Sequence, residues 1–282
     1  MTQTDSDDAT QATPPAWPGW PIATATCIRF YSRLPVPALP GEAPHALPDF
    51  RLVPRALPFA ALVIAAPATL IALLAGLAGV NALLTAALAV TALVVTTGAF
   101  HEDGLADSAD GLFGGHTPER RLEIMKDSRV GTFGALALGL SLLLRVSALA
   151  AILQGAGAWT VAAAMLVAAP WSRVEGLRIL ATVDPIRREG ASASVGQPER
   201  SVLPIAYGLS GALALLLAVT GAVPLAGIVL GLALSALATY WLSRTAMRLI
   251  GGQTGDILGA AQQLGEIAIY LGLAIVIGWA ER

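Results

Sequence analysis

Charge is scarce in this sequence. Only 13% of its 282 residues are Asp, Glu, Lys or Arg, against about 25% in an ordinary soluble domain. Between Arg55 and His101 there is no charged or histidine side chain at all. That interval excludes a solvated surface and has room for two spans of ~20 residues. Cysteine is nearly absent too. Cys27 stands alone, which excludes an intramolecular disulfide and a cysteine-based zinc cluster. No basic excess exists, the formal net charge being −2, so no nucleic-acid partner is expected, since that would need a concentrated basic face. The first residues lack the lysines of a secretory signal and carry Asp5, Asp7 and Asp8 instead. Residues 1–16 are expected to form a disordered acidic tail, and 17–282 a single membrane-embedded domain.

What is present is apolar, 55% of the chain. Long continuous runs, rather than ten-residue alternating segments, predict helices and not a barrel. The expected fold is all-α, a polytopic integral membrane bundle of about seven transmembrane helices. Spans are expected over Ala56–Gly79, Ala82–Ala99, Thr132–Leu153, Trp159–Arg178, Val202–Gly221, Pro224–Ser243 and Glu266–Trp279. Before them, Trp17–Pro37 suits a short helix at the membrane interface, with tryptophan rings and Arg29/Arg33 at headgroup level. The connector Pro35–Arg55, with His45, reads as a plain loop. Segments 1–55, 100–131, 172–201 and 244–265 carry fifteen of the seventeen Lys and Arg residues. The alternate connections carry none. Positive residues concentrate on the cytoplasmic side, so every substantial polar segment is expected there. Arg145 is the exception, a cation inside the third span that either faces a polar cavity or lies near enough to a span end to snorkel.

One stretch concentrates the chemistry. Residues 100–134 hold seven of the nineteen acidic residues, four of the seventeen basic ones and two of the three histidines. In a membrane protein such clustering marks a functional site. Asp103, Asp107 and Asp110 fall at i, i+4 and i+7, one face of a helix. Three like charges so stacked repel unless a cation lies between them. Oxygen-only ligation of Mg²⁺, with water and substrate phosphate, fits that set; a solvated acidic helix face is the competing reading. His101 is a general base, a metal neighbour or an ordinary hydrogen-bonding residue at a helix end. Thr117-Pro118 has the form of a helix start. Lys126 and Arg129 would hold phosphate oxygens beside a metal, or merely anchor the chain to the membrane. Asp127 between them would orient them or join the metal. A second polar patch, Gly251–Ala260 (GGQTGDILGA), offers Gly252 and Thr254 for close approach and adds Asp256.

Four stretches, FYSRLPVP from Phe30, HEDGLADSADG from His101, LEIMKDSRVGTFGALAL from Leu122 and GGQTGDILGA from Gly251, closely resemble the cobalamin synthase family (adenosylcobinamide-GDP ribazoletransferase). The likeness runs from about Ile28 to the C-terminus. A looser likeness to CDP-alcohol phosphotransferases stops at Asp107, which stands where that motif has arginine. The family resemblance implies a Mg²⁺-dependent phosphotransferase at the cytoplasmic face of the inner membrane. It would join α-ribazole, or its 5′-phosphate, to adenosylcobinamide-GDP with release of GMP, as a single membrane-embedded catalytic domain. On that basis Asp103, Asp107, Asp110 and His101 are the expected catalytic residues, the three aspartates also holding the metal. Lys126, Asp127, Arg129, Gly252, Thr254 and Asp256 are the expected substrate-binding set. Oligomeric state is left open, a homo-oligomer included. The alternative function is a secondary transporter with the aspartates as a cation relay and Arg145 as a midplane charge. It would place charges within the spans and repeat the pattern in inverted order, which the sequence does not do.

Overall fold

The computed structural model describes residues 16–42, 49–186 and 196–280. The expected tail up to residue 15, His45 and the middle of the loop after Arg178 lie outside the described residues. Nothing but helix and connecting turn occurs among those described, apart from a lone bridge between Pro185 and Gln253.

Helix α1 (Trp20–Tyr31) has Pro21 in its first turn and buries Ala23, Ala25, Cys27 and Ile28. Its 12 residues cover about 18 Å, too short to cross a ~30 Å hydrocarbon layer. A 3₁₀ turn (Val53–Ala56) leads into α2 (Leu57–Leu77). Asn81 caps α3 (Ala82–Thr97) by accepting from the Leu83 and Leu84 amides. Next come α4 (Phe100–Gly114) and the short α5 (Pro118–Ile124), which starts as expected with Thr117 capping and Pro118 at the first helical position. Thr132–Thr182 is continuous helix but for Gly157, whose positive φ of 86° breaks it. We treat its limbs as α6 (132–156) and α7 (158–182). They run antiparallel, because Ser141 and Arg145 on α6 meet residues 263 and 266 in ascending order. On α7, Ser172 and Gly176 meet Gly265 and Leu258 in descending order. The last helices are α8 (Val202–Val219), α9 (Leu225–Ile250) and α10 (Gly255–Ala280).

By length and apolarity five helical stretches can cross a membrane, or six with the bent pair α3–α4. One of the five is Thr132–Thr182, and the Gly157 break supplies from it the two crossings expected on either side of QGAGA. The last span differs from expectation. It starts at Gly255 rather than Glu266, because Gln262, Gln263 and Glu266 are polar by sequence yet satisfied inside the bundle. Helix α9 likewise runs on to Ile250, seven residues past the expected end at Ser243.

Helix α10 is the most deeply buried of the candidate spans and glycine lets its neighbours approach it closely. A Cβ on Gly259 would touch Gly104 of α4, one on Gly265 would sit 3.3 Å from the Ser172 Cα of α7, and one on Gly272 would collide with the Gly231 backbone of α9. Without a hydrophobic drive between helices in lipid, such small-residue contacts bring the dispersion surfaces together. The main core is accordingly rich in alanine, including Ala68, Ala89, Ala164 and Ala168.

Candidate active site

Two consecutive left-handed residues, Gly98 (φ 67°) and Ala99 (φ 58°), turn the chain by 89° between α3 and α4. Glycine is needed at the first, where a Cβ would lie 2.6 Å from the Arg33 Nε. For Ala99 the conformation costs about 1–2 kcal/mol, which the surrounding packing must offset. The turn lays α4 across α10 instead of letting it continue outward. Gly104 makes that crossing possible: a Cβ there would stand 2.9 Å from the Asp256 carbonyl oxygen and 3.2 Å from the Gly259 Cα. The first turn of α10 therefore abuts α4 between Asp103 and Asp107. In this way the two polar patches of the sequence become one surface.

The three aspartates share a face but not an environment. Asp103 is exposed and Asp107 half-buried. Asp110 is buried, and its carboxylate accepts from the Gly131 amide at 2.7 Å and the Gly134 amide at 2.8 Å. Those amides belong to the first turn of α6, so Asp110 supplies the cap that Gly131 cannot. A side chain at either glycine would strike that carboxylate. Among the described residues no three His, Cys, Asp or Glu side chains converge on one point.

His101 does not face the aspartates. It is buried on the inner side of α4, its ring parallel to Tyr31 at 6.0 Å. Lys126 and Arg129 are exposed. Arg129 forms a forked pair with Asp127, Nη2 to Oδ2 being 2.5 Å, and its amide also donates to Oδ1. That pairing holds the Asp127 carboxyl down at about 2, so the pair is intact through the neutral range and lost only in strong acid. Arg121 serves the frame: it donates to the carbonyls of Leu112 and Leu249, tying α4 to the end of α9. In the second patch Gly252 lies against the Asp184 carbonyl, where a Cβ would approach to 2.7 Å. Flanking bonds from the Gln253 amide to Asp184 and from the Ile186 amide to Gln253 pin the turn. The Thr254 hydroxyl donates to Asp256 and accepts from the Ile257 amide, capping α10.

Below this surface lies a polar centre. Arg145, with no exposed surface, donates from Nη1 to Glu102 at 3.0 Å and to Glu266 at 3.4 Å. Gln263 donates to Glu102 and Gln262 to Glu266, and Ser141 and Ser172 complete the set. Arg145 thus faces the bundle interior, the first of the two placements its mid-span position allows. A second buried arginine, Arg173, lines a cavity of about 40 Å³ between α1, α4, α7 and α10, together with Tyr31, Phe100, His101 and Gln262. Glu175 is also buried, held by Arg178, Tyr207 and Thr239.

Residues 23–274 match the family model described as cobalamin-5-phosphate synthase. Similar relatives named adenosylcobinamide-GDP ribazoletransferase come from Azorhizobium caulinodans (44% identical, covering 88% of this chain and 93% of the relative), Xanthobacter autotrophicus (46%, 89% and 95%) and Sinorhizobium medicae (43%, 90% and 96%). The chain belongs to the cobalamin-5-phosphate synthase family. No solved structure matches it.

Family membership covers the interfacial helix, the α4 surface and the α10 turn alike, and it gives the transporter alternative no support. The buried centre is what sequence reading missed for this family member. By sequence Glu102 sits at a span end with no assigned role, Glu266 reads as the start of a span, and Arg173 counts with the cytoplasmic segments. One signal was available: Gln262, Gln263 and Glu266 interrupt an apolar run at helical spacing, which marks an inward polar stripe.

Proposed function

We propose that this protein is an adenosylcobinamide-GDP ribazoletransferase. It would join α-ribazole or its 5′-phosphate to adenosylcobinamide-GDP with release of GMP, giving adenosylcobalamin or its 5′-phosphate. The observation that carries the proposal is the meeting of α4 with the α10 turn at Gly104, within a chain whose family match spans 23–274. The hydroxyl of the nucleoside forms a new bond to the phosphorus that bears cobinamide. The bond from that phosphorus to the bridging oxygen breaks, GMP leaves with the oxygen, and the hydroxyl proton passes to a base.

Magnesium is the proposed cofactor. Asp103 and Asp107 fit it chemically, since Mg²⁺ is ordinarily bound by one or two carboxylates, water and substrate phosphates rather than a full protein cage. A bound Mg²⁺ there would neutralise charge on the diphosphate. Asp110 contributes by fixing α6 to α4, which sets the position of the loop holding Lys126, Asp127 and Arg129. In our reading Asp127 orients Arg129 so that its guanidinium, with the Lys126 ammonium, is presented to phosphate oxygens. Gly252, Thr254 and Asp256 form the opposite wall. The site faces the cytoplasm from the inner membrane, in accord with the distribution of Lys and Arg.

The test is release of GMP from adenosylcobinamide-GDP by the full-length protein in detergent. Release should require both α-ribazole and Mg²⁺. No nucleoside-dependent release would refute the proposed activity.

A further inference from the structure

Arg173 is 3% exposed and has no carboxylate partner among the described residues. Its one side-chain hydrogen bond runs from Nη1 to the Ala169 carbonyl at 2.9 Å. Among the described residues Nε and Nη2 have no hydrogen-bond partner. These two donors point the same way from one edge of the guanidinium, the spacing that suits two oxygens of a single oxyanion. Buried unmet donors on a charged group are costly, so the edge calls for an acceptor. The nearby Arg145 differs, being bridged to both Glu102 and Glu266.

Arg173 also lines a cavity of a size to hold such an acceptor. Its volume of about 40 Å³ suits a few waters or one small oxyanion. It follows α10 from Gln262 up to Gly255, roughly 10 Å at 1.5 Å per residue, and so ends at the first turn of the helix. That turn is where α4 and α10 meet, and the positive end of the α10 dipole lies there.

We propose that the Arg173 cavity is a phosphoryl subsite, in which the Nε–Nη2 edge takes two oxygens of a substrate phosphate group. The inference rests on the proposed function for its two sources, the monoester of α-ribazole 5′-phosphate and the diphosphate of adenosylcobinamide-GDP. Neither is held by Lys126 or Arg129 alone in this account, since those side chains lie at the exposed surface.

The experiment uses the full-length protein in detergent and the variants Arg173→Met and Arg173→Lys. Lysine keeps the charge and loses the fork. If the monoester is the occupant, KM for α-ribazole 5′-phosphate rises about tenfold or more in both variants while KM for α-ribazole is unchanged. If the diphosphate is the occupant, KM for adenosylcobinamide-GDP rises by that factor with either acceptor. Unchanged KM values for all three would overturn the proposal and leave the cavity to water only. A second readout needs no turnover: inorganic phosphate should raise the melting temperature of the wild type more than that of Arg173→Lys. Equal shifts count against the subsite. Should the wild type release no GMP, the proposed activity fails, and the phosphate-dependent melting still decides whether the subsite exists. If neither variant accumulates, inorganic phosphate should still raise the wild-type melting temperature more than equimolar chloride does, and no such difference overturns the subsite.

Discussion

Replacing Asp110 with Asn should destabilise the protein while the same change at Asp103 should not. The Asp110 carboxylate accepts two backbone amides at 2.7 and 2.8 Å in a buried setting. Charge-assisted bonds of this kind each contribute about 1.5–3 kcal/mol. Asparagine has nearly the same volume but one oxygen, so one amide of α6 keeps an acceptor and the other meets an NH₂ group. The loss of one bond with an orphaned amide costs about 2–4 kcal/mol. At roughly 2–4 °C per kcal/mol for a chain of this size, melting in detergent should fall by about 5–15 °C. Asp103 is exposed, and its replacement should stay within about 0.5 kcal/mol. Gly134→Ala supplies the complementary perturbation, since its Cβ would crowd the Ala106 carbonyl at 3.0 Å as well as the carboxylate. A wild-type melting temperature for Asp110→Asn would refute the capping role and return Asp110 to the metal set.

Arg145→Leu should be among the most damaging single changes, by about 3–5 kcal/mol, because it strands the buried Glu102 and Glu266 carboxylates. Glu102→Gln should be milder, as Glu266 remains; near-wild-type melting of Arg145→Leu would contradict the network. Lys126→Ala and Arg129→Ala should fold normally, both being exposed. Each should lower kcat/KM for adenosylcobinamide-GDP by about 1.5–3 kcal/mol of lost phosphate contact, and unchanged kinetics would leave them as membrane anchors. Orientation is testable in a Cys27→Ser background carrying single cysteines at His116 and at Gly157, both on helix-breaking turns. An impermeant thiol reagent applied to intact cells should label the Gly157 site only, and labelling of the His116 site alone would invert the topology.

Most of the architecture was legible because the bilayer leaves few choices. A chain without charge from residue 56 to 100 must make helices there, and QGAGA could only be a turn between two runs of span length. The ends were harder. Glu266 looked like a boundary since a lone carboxylate is expected at an interface, yet Arg145 from α6 and Gln262 from its own helix accept it inside. Within the site, helical spacing correctly placed three aspartates on one face of α4. It could not reveal that Gly131 and Gly134, 21 and 24 residues away, would claim one of them. That pairing depends on how α6 docks. Nor does any local pattern show the Gly98-Ala99 turn of 89°, which alone brings Asp256 to α4. Arg173 escaped for a related reason: charge counting assigns a cation to a side of the membrane and says nothing of depth.

We propose that the surface where α4 meets α10 transfers a phosphoryl group with Mg²⁺ held by Asp103 and Asp107. Turnover of adenosylcobinamide-GDP and α-ribazole against Mg²⁺ concentration, compared between wild type and Asp107→Asn, tests it most directly. Asp107 lies half-buried about one turn along α4 from Gly104, which meets Asp256, and asparagine removes its charge with little change of volume. The variant should fold, and its turnover should collapse or recover only at much higher Mg²⁺, since a lost carboxylate weakens metal binding and with it the neutralisation of charge on the diphosphate. Wild-type turnover with an unchanged Mg²⁺ requirement would contradict it, and would leave the aspartates as a solvated helix face.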